Sequence, residues 1–140
     1  MTDNLSILID LNIVLDVLQK REPFYEASAY LLAAVETGRV TGYIAAHSLT
    51  TLFYLLQKDK GAAEARATLT NLLQFIKVAQ VDQGTIEQAL NLEISDFEDA
   101  VQMMAAVQCK VSYLITRNIK DYPSSLLPIM QPVDFLASIS

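Results

Sequence analysis

The segment Ile7-Leu8-Ile9-Asp10, with the residues directly after it, constrains the fold of this chain more than any other stretch. An apolar run ends on a carboxylate, and Leu11–Leu18 then places apolar residues at helical spacing with no loop between. A short apolar run bounded in this way reads as a buried strand passing straight into a helix. Strands buried on both faces belong to parallel sheets. In open parallel sheets ligands bind beyond the carboxyl ends of the strands, which is where Asp10 falls. An acid delivered there must be paired, hydrated or bound to a cation.

The rest of the chain alternates in the same sense. Pro23 and Gly38 bracket a helical pattern over Phe24–Thr37, and Gly42–Ala46 reads as a short strand. Ser48 or Thr50 is placed to cap the following helix, which runs through Leu55-Leu56-Gln57. Ala62–Leu73 is helical by composition, Phe75–Val81 is a strand, and Thr85–Leu92 a short helix. Asp96–Val107 is a helix with acids in its first turn, where they favour the positive end of the dipole. Val111–Thr116 is a strand, followed by a loop with Asp121 and Pro123, a weak strand near Ile129 and a helical turn or two over Pro132–Ile139. Strands alternating with helices imply a three-layer α/β/α sandwich on a mostly parallel sheet of about five strands. The 140 residues suit one domain over the whole chain, 1–140.

Composition bounds the function classes. With 52% hydrophobic and 19% charged residues, a packed globule is expected. No apolar stretch approaches the roughly 20 residues that span a bilayer, so no membrane partner is expected. No secretory pattern opens the sequence, and the single cysteine, Cys109, sits in an apolar helical run as a buried small residue. A reducing, cytoplasmic setting fits both observations. The net charge of −6 argues against broad phosphate neutralisation by the protein itself. It is compatible with acids that hold a divalent cation, because the cation then carries the positive charge.

Acids recur near the expected carboxyl edge: Asp10, then Asp96, Glu98 and Asp99 at a helix start, then Asp121 after Tyr113-Leu114-Ile115-Thr116-Arg117-Asn118. Asp96 and Asp99 are three apart and share a helix face, with Glu98 directed elsewhere. Clustered carboxylates stay ionised together only with cationic compensation. Hard oxygen donors of this kind select magnesium or manganese, which activate water and steady a leaving oxygen in phosphodiester hydrolysis. Each acid also has a plainer use: Asp96 as a helix cap, Asp16 as a solvated helix residue, Asp121 as a loop cap before Pro123.

Asp10-Leu11-Asn12-Ile13-Val14-Leu15-Asp16-Val17-Leu18, followed by Arg21-Glu22-Pro23-Phe24-Tyr25, resembles the opening of PIN-domain proteins. Asp99-Ala100, two turns of apolar helix, Tyr113-Leu114-Ile115-Thr116-Arg117-Asn118 and Asp121-Tyr122 resemble that family's closing signature, so the likeness covers essentially the whole chain. The resemblance implies a magnesium- or manganese-dependent endoribonuclease, often the toxin of a bacterial toxin–antitoxin pair, with RNA as substrate and a small antitoxin as partner. It also implies a homodimer, which the aromatic and apolar residues Phe24, Tyr25, Leu52, Phe53 and Tyr54 favour independently. Of the four acids the family commonly uses, Asp10 matches the first and Asp99 the one opening the long late helix. The second falls at Thr51 and the fourth at Asn118, neither of which is acidic; Asp121 stands three residues beyond Asn118. The resemblance therefore makes Asp10 and Asp99 direct ligands and Asp121 a ligand through water. Asn12, Thr51, Asp96, Thr116, Arg117 and Asn118 become neighbouring or substrate-contacting residues. Thr51 is expected to point at the cation from the start of the third helix.

Other constellations are weaker. His47 is the only histidine and stands before a helix at the expected site edge, as a phosphate contact or base, or as an ordinary loop histidine. Arg117, Lys20, Arg21 and Lys120 are candidates for a basic rim that binds RNA phosphate, or for solvated surface charge. Ser48 has no nucleophile elbow or second histidine to support it. A glycine-rich phosphate loop is missing, which argues against a nucleotide triphosphatase. A phosphoacceptor receiver domain would need an acid at the end of its third strand, and Val78-Ala79-Gln80-Val81-Asp82 matches poorly. The second function class compatible with these residues is a non-catalytic RNA-binding or protein-interaction module on the same scaffold, favoured by the missing acids at 51 and 118.

Overall fold

The computed structural model describes residues 5–140. Five strands form one all-parallel sheet: β1 (Ser6–Ile9), β2 (Thr41–Ala45), β3 (Ile76–Ala79), β4 (Tyr113–Ile115) and β5 (Ile129–Met130), in the spatial order β3-β2-β1-β4-β5. The helices are α1 (Leu11–Leu18), α2 (Tyr25–Glu36), α3 (Ala46–Lys60), α4 (Ala62–Leu72), α5 (Gln83–Ala89), α6 (Phe97–Cys109) and α7 (Pro132–Ile139), with a 3-10 turn at Ile119–Asp121. The α/β/α architecture expected from the sequence is the one observed, and element boundaries shift by only a few residues.

Alternation along β1 divides the core. Ile7 and Ile9 turn to one face and pack with Ile13, Leu15, Leu31, Ile44, Leu52, Ile115 and Phe135; Leu8 turns to the other and packs with Ala45, Met103, Ala106 and Leu114. Thus α1 to α4 and α7 cover one side, and α6, backed by α5, covers the other. Because both faces are covered, β1 reads as an unbroken apolar run rather than an alternating one. Gly42 on β2 permits the close approach of α2: a Cβ there would lie 2.8 Å from Val35 Cγ1.

Three local expectations are corrected. Neither Ser48 nor Thr50 caps α3, which begins earlier, at Ala46, with Ala45 at the cap position and no side-chain bond. Thr50 instead donates to the His47 carbonyl. Cys109 is half-buried at the end of α6 rather than enclosed. Asp16 is fully buried, not solvated; the eight-residue α1 is wedged between α2 and α3, and the turn after β4 covers its remaining polar position. Asp82, the residue a receiver domain would use, is a helix cap whose carboxylate accepts from the Thr85 backbone at 3.1 Å.

Candidate metal centre at the sheet switch point

The strand order places the switch point between β1 and β4: from β1 the chain winds outward through β2 and β3, then crosses back to β4 and β5. Diverging connections leave a crevice at such a point, and the crevice here is lined by Asp10, Asn12, His47, Ser48, Asp96, Glu98, Asp99, Gln102, Asn118, Asp121 and Tyr122, with Leu11, in a volume of about 250 Å³. Five of these side chains are acids, and no lysine or arginine is among them.

Asp10 leaves β1 in extended conformation and caps α1: Oδ1 accepts from the Asn12 backbone at 2.8 Å. Its Oδ2 accepts from Thr116 Oγ1 at 3.1 Å and Gln102 Nε2 at 3.4 Å. Thr116 Oγ1 in turn accepts from the Asn118 backbone at 3.2 Å, so the β4 exit loop is tied to the same carboxylate. Asp96 is the N-cap of α6, accepting from the Asp99 backbone at 3.0 Å, and it also faces the crevice. Asp99 is half-buried one turn in, where it accepts from Tyr122 Oη at 2.9 Å. Burial, with smaller contributions from Asp96, Asp10 and Asp121, pushes the Asp99 carboxyl up to about 6, against the bond from Tyr122. A cation in the crevice would reverse that pressure.

Two residues that sequence reasoning did not single out join the acids. Gln102 Nε2 lies 2.7 Å from Tyr122 Oη, and both side chains are buried. Asp10 and Asp99 are therefore joined through Gln102 and Tyr122 by contacts of 3.4, 2.7 and 2.9 Å. Gln102 carried a readable signal as the lone polar side chain in Ala100–Val107, three residues after Asp99 and on its face.

Three expected placements differ. Thr51 lies more than a turn into α3 and donates to Glu98 Oε2 at 3.2 Å; it does not line the crevice, because α3 starts earlier than expected and rotates position 51 towards α6. Glu98 consequently faces the crevice rather than away from it. Arg117 is withdrawn from any RNA-facing rim: its Nε stands 3.1 Å from buried Asp16 Oδ2, and its guanidinium stacks 3.9 Å from the centre of the Phe24 ring. His47 borders the crevice with Nε2 3.1 Å from the Glu98 carbonyl oxygen, while its buried Nδ1 has no partner among the described residues. Asp121 and Asn118 face the crevice from the exposed 3-10 turn.

The donor set fits a hard divalent cation. Carboxylate oxygens dominate, burial and the neighbouring acids raise the Asp99 carboxyl in the absence of counter-charge, and magnesium takes only one or two protein carboxylates with several waters. Among the described residues no three acidic, histidine or cysteine side chains already form a coordinating group, so the ion would be held by few direct ligands.

An open parallel sheet with acids gathered beyond its switch strands defines an α/β protein built around an acidic cleft. The chain belongs to the PIN-domain family: the family model described as PIN domain matches residues 6–120. No curated protein sequence matches the chain significantly. Solved structures with a similar fold include a toxin–antitoxin complex from Klebsiella pneumoniae, 22% identical with a TM-score of 0.67 over 90% of this chain and 97% of that one. VapBC2 from Rickettsia felis, bound to a DNA fragment from its promoter, is 17% identical with a TM-score of 0.63 over 89% of this chain and 97% of that one. VapC20 from Mycobacterium tuberculosis, a Sarcin–Ricin loop cleaving toxin, is 16% identical with a TM-score of 0.61 over 86% and 92%. Among the described residues no helix is long and apolar enough to cross a membrane.

Proposed function

We propose that this chain is a one-domain, magnesium- or manganese-dependent endoribonuclease of the toxin type. The observation that carries the reading is the linking of Asp10 and Asp99 through Gln102 and Tyr122 across the switch point, in a crevice whose lining has five acids and no lysine or arginine. RNA phosphate cannot approach such a surface without a cation. Asp10 and Asp99 would hold the ion directly; Asp121, Asp96 and Glu98, all exposed at the rim, would act through water. When bound, the ion would polarise a water for attack and offset charge on the phosphodiester. The protein's own contribution is positional. Thr116 and the Asn12 backbone fix the Asp10 carboxylate, the α6 cap fixes Asp96 beside Asp99, and the Asn118 amide offers neutral donors to phosphate where another acid would repel it.

A small antitoxin partner is part of this reading, supported by the toxin–antitoxin complexes among the structures of similar fold, and a homodimer is proposed with it. So is an intracellular, cytoplasmic site of action, where RNA is found. The exposed Tyr30, Tyr54 and Val133 are candidates for contact surface, whereas Leu52, expected to help, is fully buried. The second reading, a non-catalytic module, is favoured by one observation: Arg117 is committed to Asp16 and the Thr51 hydroxyl to Glu98, so neither serves the crevice. Cleavage of a structured RNA, followed with rising magnesium or manganese and with chelator, separates the two. Metal-dependent cleavage lost in Asp10→Asn supports the nuclease; RNA binding that neither needs metal nor leads to cleavage supports the module.

A further inference from the structure

The geometry points to Tyr122 and Gln102 as a positioning bridge that sets the spacing of the Asp10 and Asp99 carboxylates for the cation. This inference rests on the metal reading above and adds two residues to which no role has been given. The bridge runs from Asp10 Oδ2 to Gln102 Nε2, on to Tyr122 Oη and then to Asp99 Oδ1. Its polarity is fixed by chemistry. Asp10 Oδ2 already accepts from the Thr116 hydroxyl, and the amide nitrogen of Gln102, not its oxygen, faces it. That nitrogen only donates, so Tyr122 Oη accepts from it, and the single phenolic proton is left for Asp99 Oδ1. The four groups form one directed chain of three hydrogen bonds.

The location makes the bridge stiff. Tyr122 and Gln102 are 6% and 4% exposed, so water does not compete for their bonds. Gln102 is carried by α6, three residues beyond Asp99, while Tyr122 directly follows the 3-10 turn that bears Asp121. Its ring packs in the core beneath the sheet with Leu8, Met103 and Leu114. The bridge therefore joins the end of β1, the start of α6 and the turn after β4. It holds two acids side by side that would otherwise repel each other apart. The phenol occupies Oδ1 of Asp99, whose side chain lines the crevice.

Tyr122→Phe keeps the ring and deletes only the bridging hydroxyl. Loss of an orienting partner of a metal-binding carboxylate costs roughly tenfold or more in metal affinity. The test is calorimetric titration of wild type, Tyr122→Phe, Gln102→Met and the control Tyr113→Phe, at the amino end of β4, with manganese, without RNA, alongside thermal melting of each metal-free protein. The inference expects manganese affinity to fall about tenfold in Tyr122→Phe and Gln102→Met and to stay unchanged in the control. In a cleavage assay, the metal concentration giving half-maximal rate should rise while the rate at saturating metal stays near that of wild type. A residue that merely supports the core would lower the melting temperature and leave manganese affinity alone, and that result overturns the bridge. Equal affinity in wild type and both variants also overturns it while leaving the metal reading intact. Absence of manganese binding in wild type itself overturns the metal reading, and the bridge's purpose with it.

Discussion

Removing the Arg117 side chain should test the least expected feature of the molecule, a buried acid behind the site. In Arg117→Met, Asp16 keeps its place on α1, facing the turn after β4, but loses the guanidinium 3.1 Å away. Asp16 is 0% exposed, and its remaining protein donor is Ser28 Oγ at 3.2 Å. Breaking a buried pair by deleting one partner costs about 3–5 kcal/mol. The Arg117 side chain is 23% exposed, so the lower end applies. Loss of its stacking on Phe24 adds about 0.5–1 kcal/mol. A deficit of roughly 3–4 kcal/mol at pH 7 follows, or roughly 10 °C in melting temperature for a chain of this size. Burial already raises the Asp16 carboxyl above its ordinary value, and Arg117 is the largest influence pulling it back. Without Arg117 the carboxyl rises further, so the folded variant binds a proton more tightly than the unfolded chain does. Stability of that kind is present at low pH and lost as pH rises, so the deficit should shrink on going from pH 7.5 to pH 5. Urea unfolding of both proteins at these two values measures it. Adding Asp16→Asn to Arg117→Met should recover much of the loss, since no charge then remains buried. A deficit under about 1 kcal/mol, or one equal at both pH values, would refute the reasoning.

Three further outcomes follow from the crevice. Asp10→Asn should abolish metal-dependent RNA cleavage while circular dichroism shows an intact fold, because the amide still caps α1 but offers the cation a neutral oxygen; retained metal-dependent cleavage would exclude Asp10 as an essential ligand. Asp99 has its folded carboxyl raised from 3.8 to about 6, so its contribution to metal-free stability is full below about 3.8 and lost as pH rises through 6. Asp99→Asn should therefore be more stable than wild type above pH 6 without metal and lose that advantage near pH 4; parallel pH curves from thermal melts would contradict this. Thr51→Glu should not tighten metal binding, since position 51 faces Glu98 rather than the crevice; it should set two carboxylates against each other and lower the metal-free melting temperature. Tighter manganese binding in a titration of this variant would place residue 51 in the site after all.

The sequence by itself determined the layers and the strand direction, and it set Asp10 at a strand end and a group of acids, Asp99 among them, at a helix start. Ile7-Leu8-Ile9-Asp10 can be only a short strand buried on both sides with its acid at the carboxyl end, and the Asp99 helix follows from acids at a helix start ahead of an apolar run. These are local properties: period, capping preference and chain order settle them. What the tertiary structure decided was the company each polar group keeps. Asp16 and Arg117 are 101 positions apart, and nothing in α1 says that the β4 exit loop closes over it. Glu98 and Thr51 meet because α3 begins at Ala46, a boundary the sequence marks with no capping side chain. Gln102 and Tyr122 acquire a role only where β1, α6 and the turn after β4 come together. A buried donor or acceptor must find a partner somewhere, but which partner depends on how rigid elements dock, and docking is set by packing of the whole core rather than by any one stretch of chain.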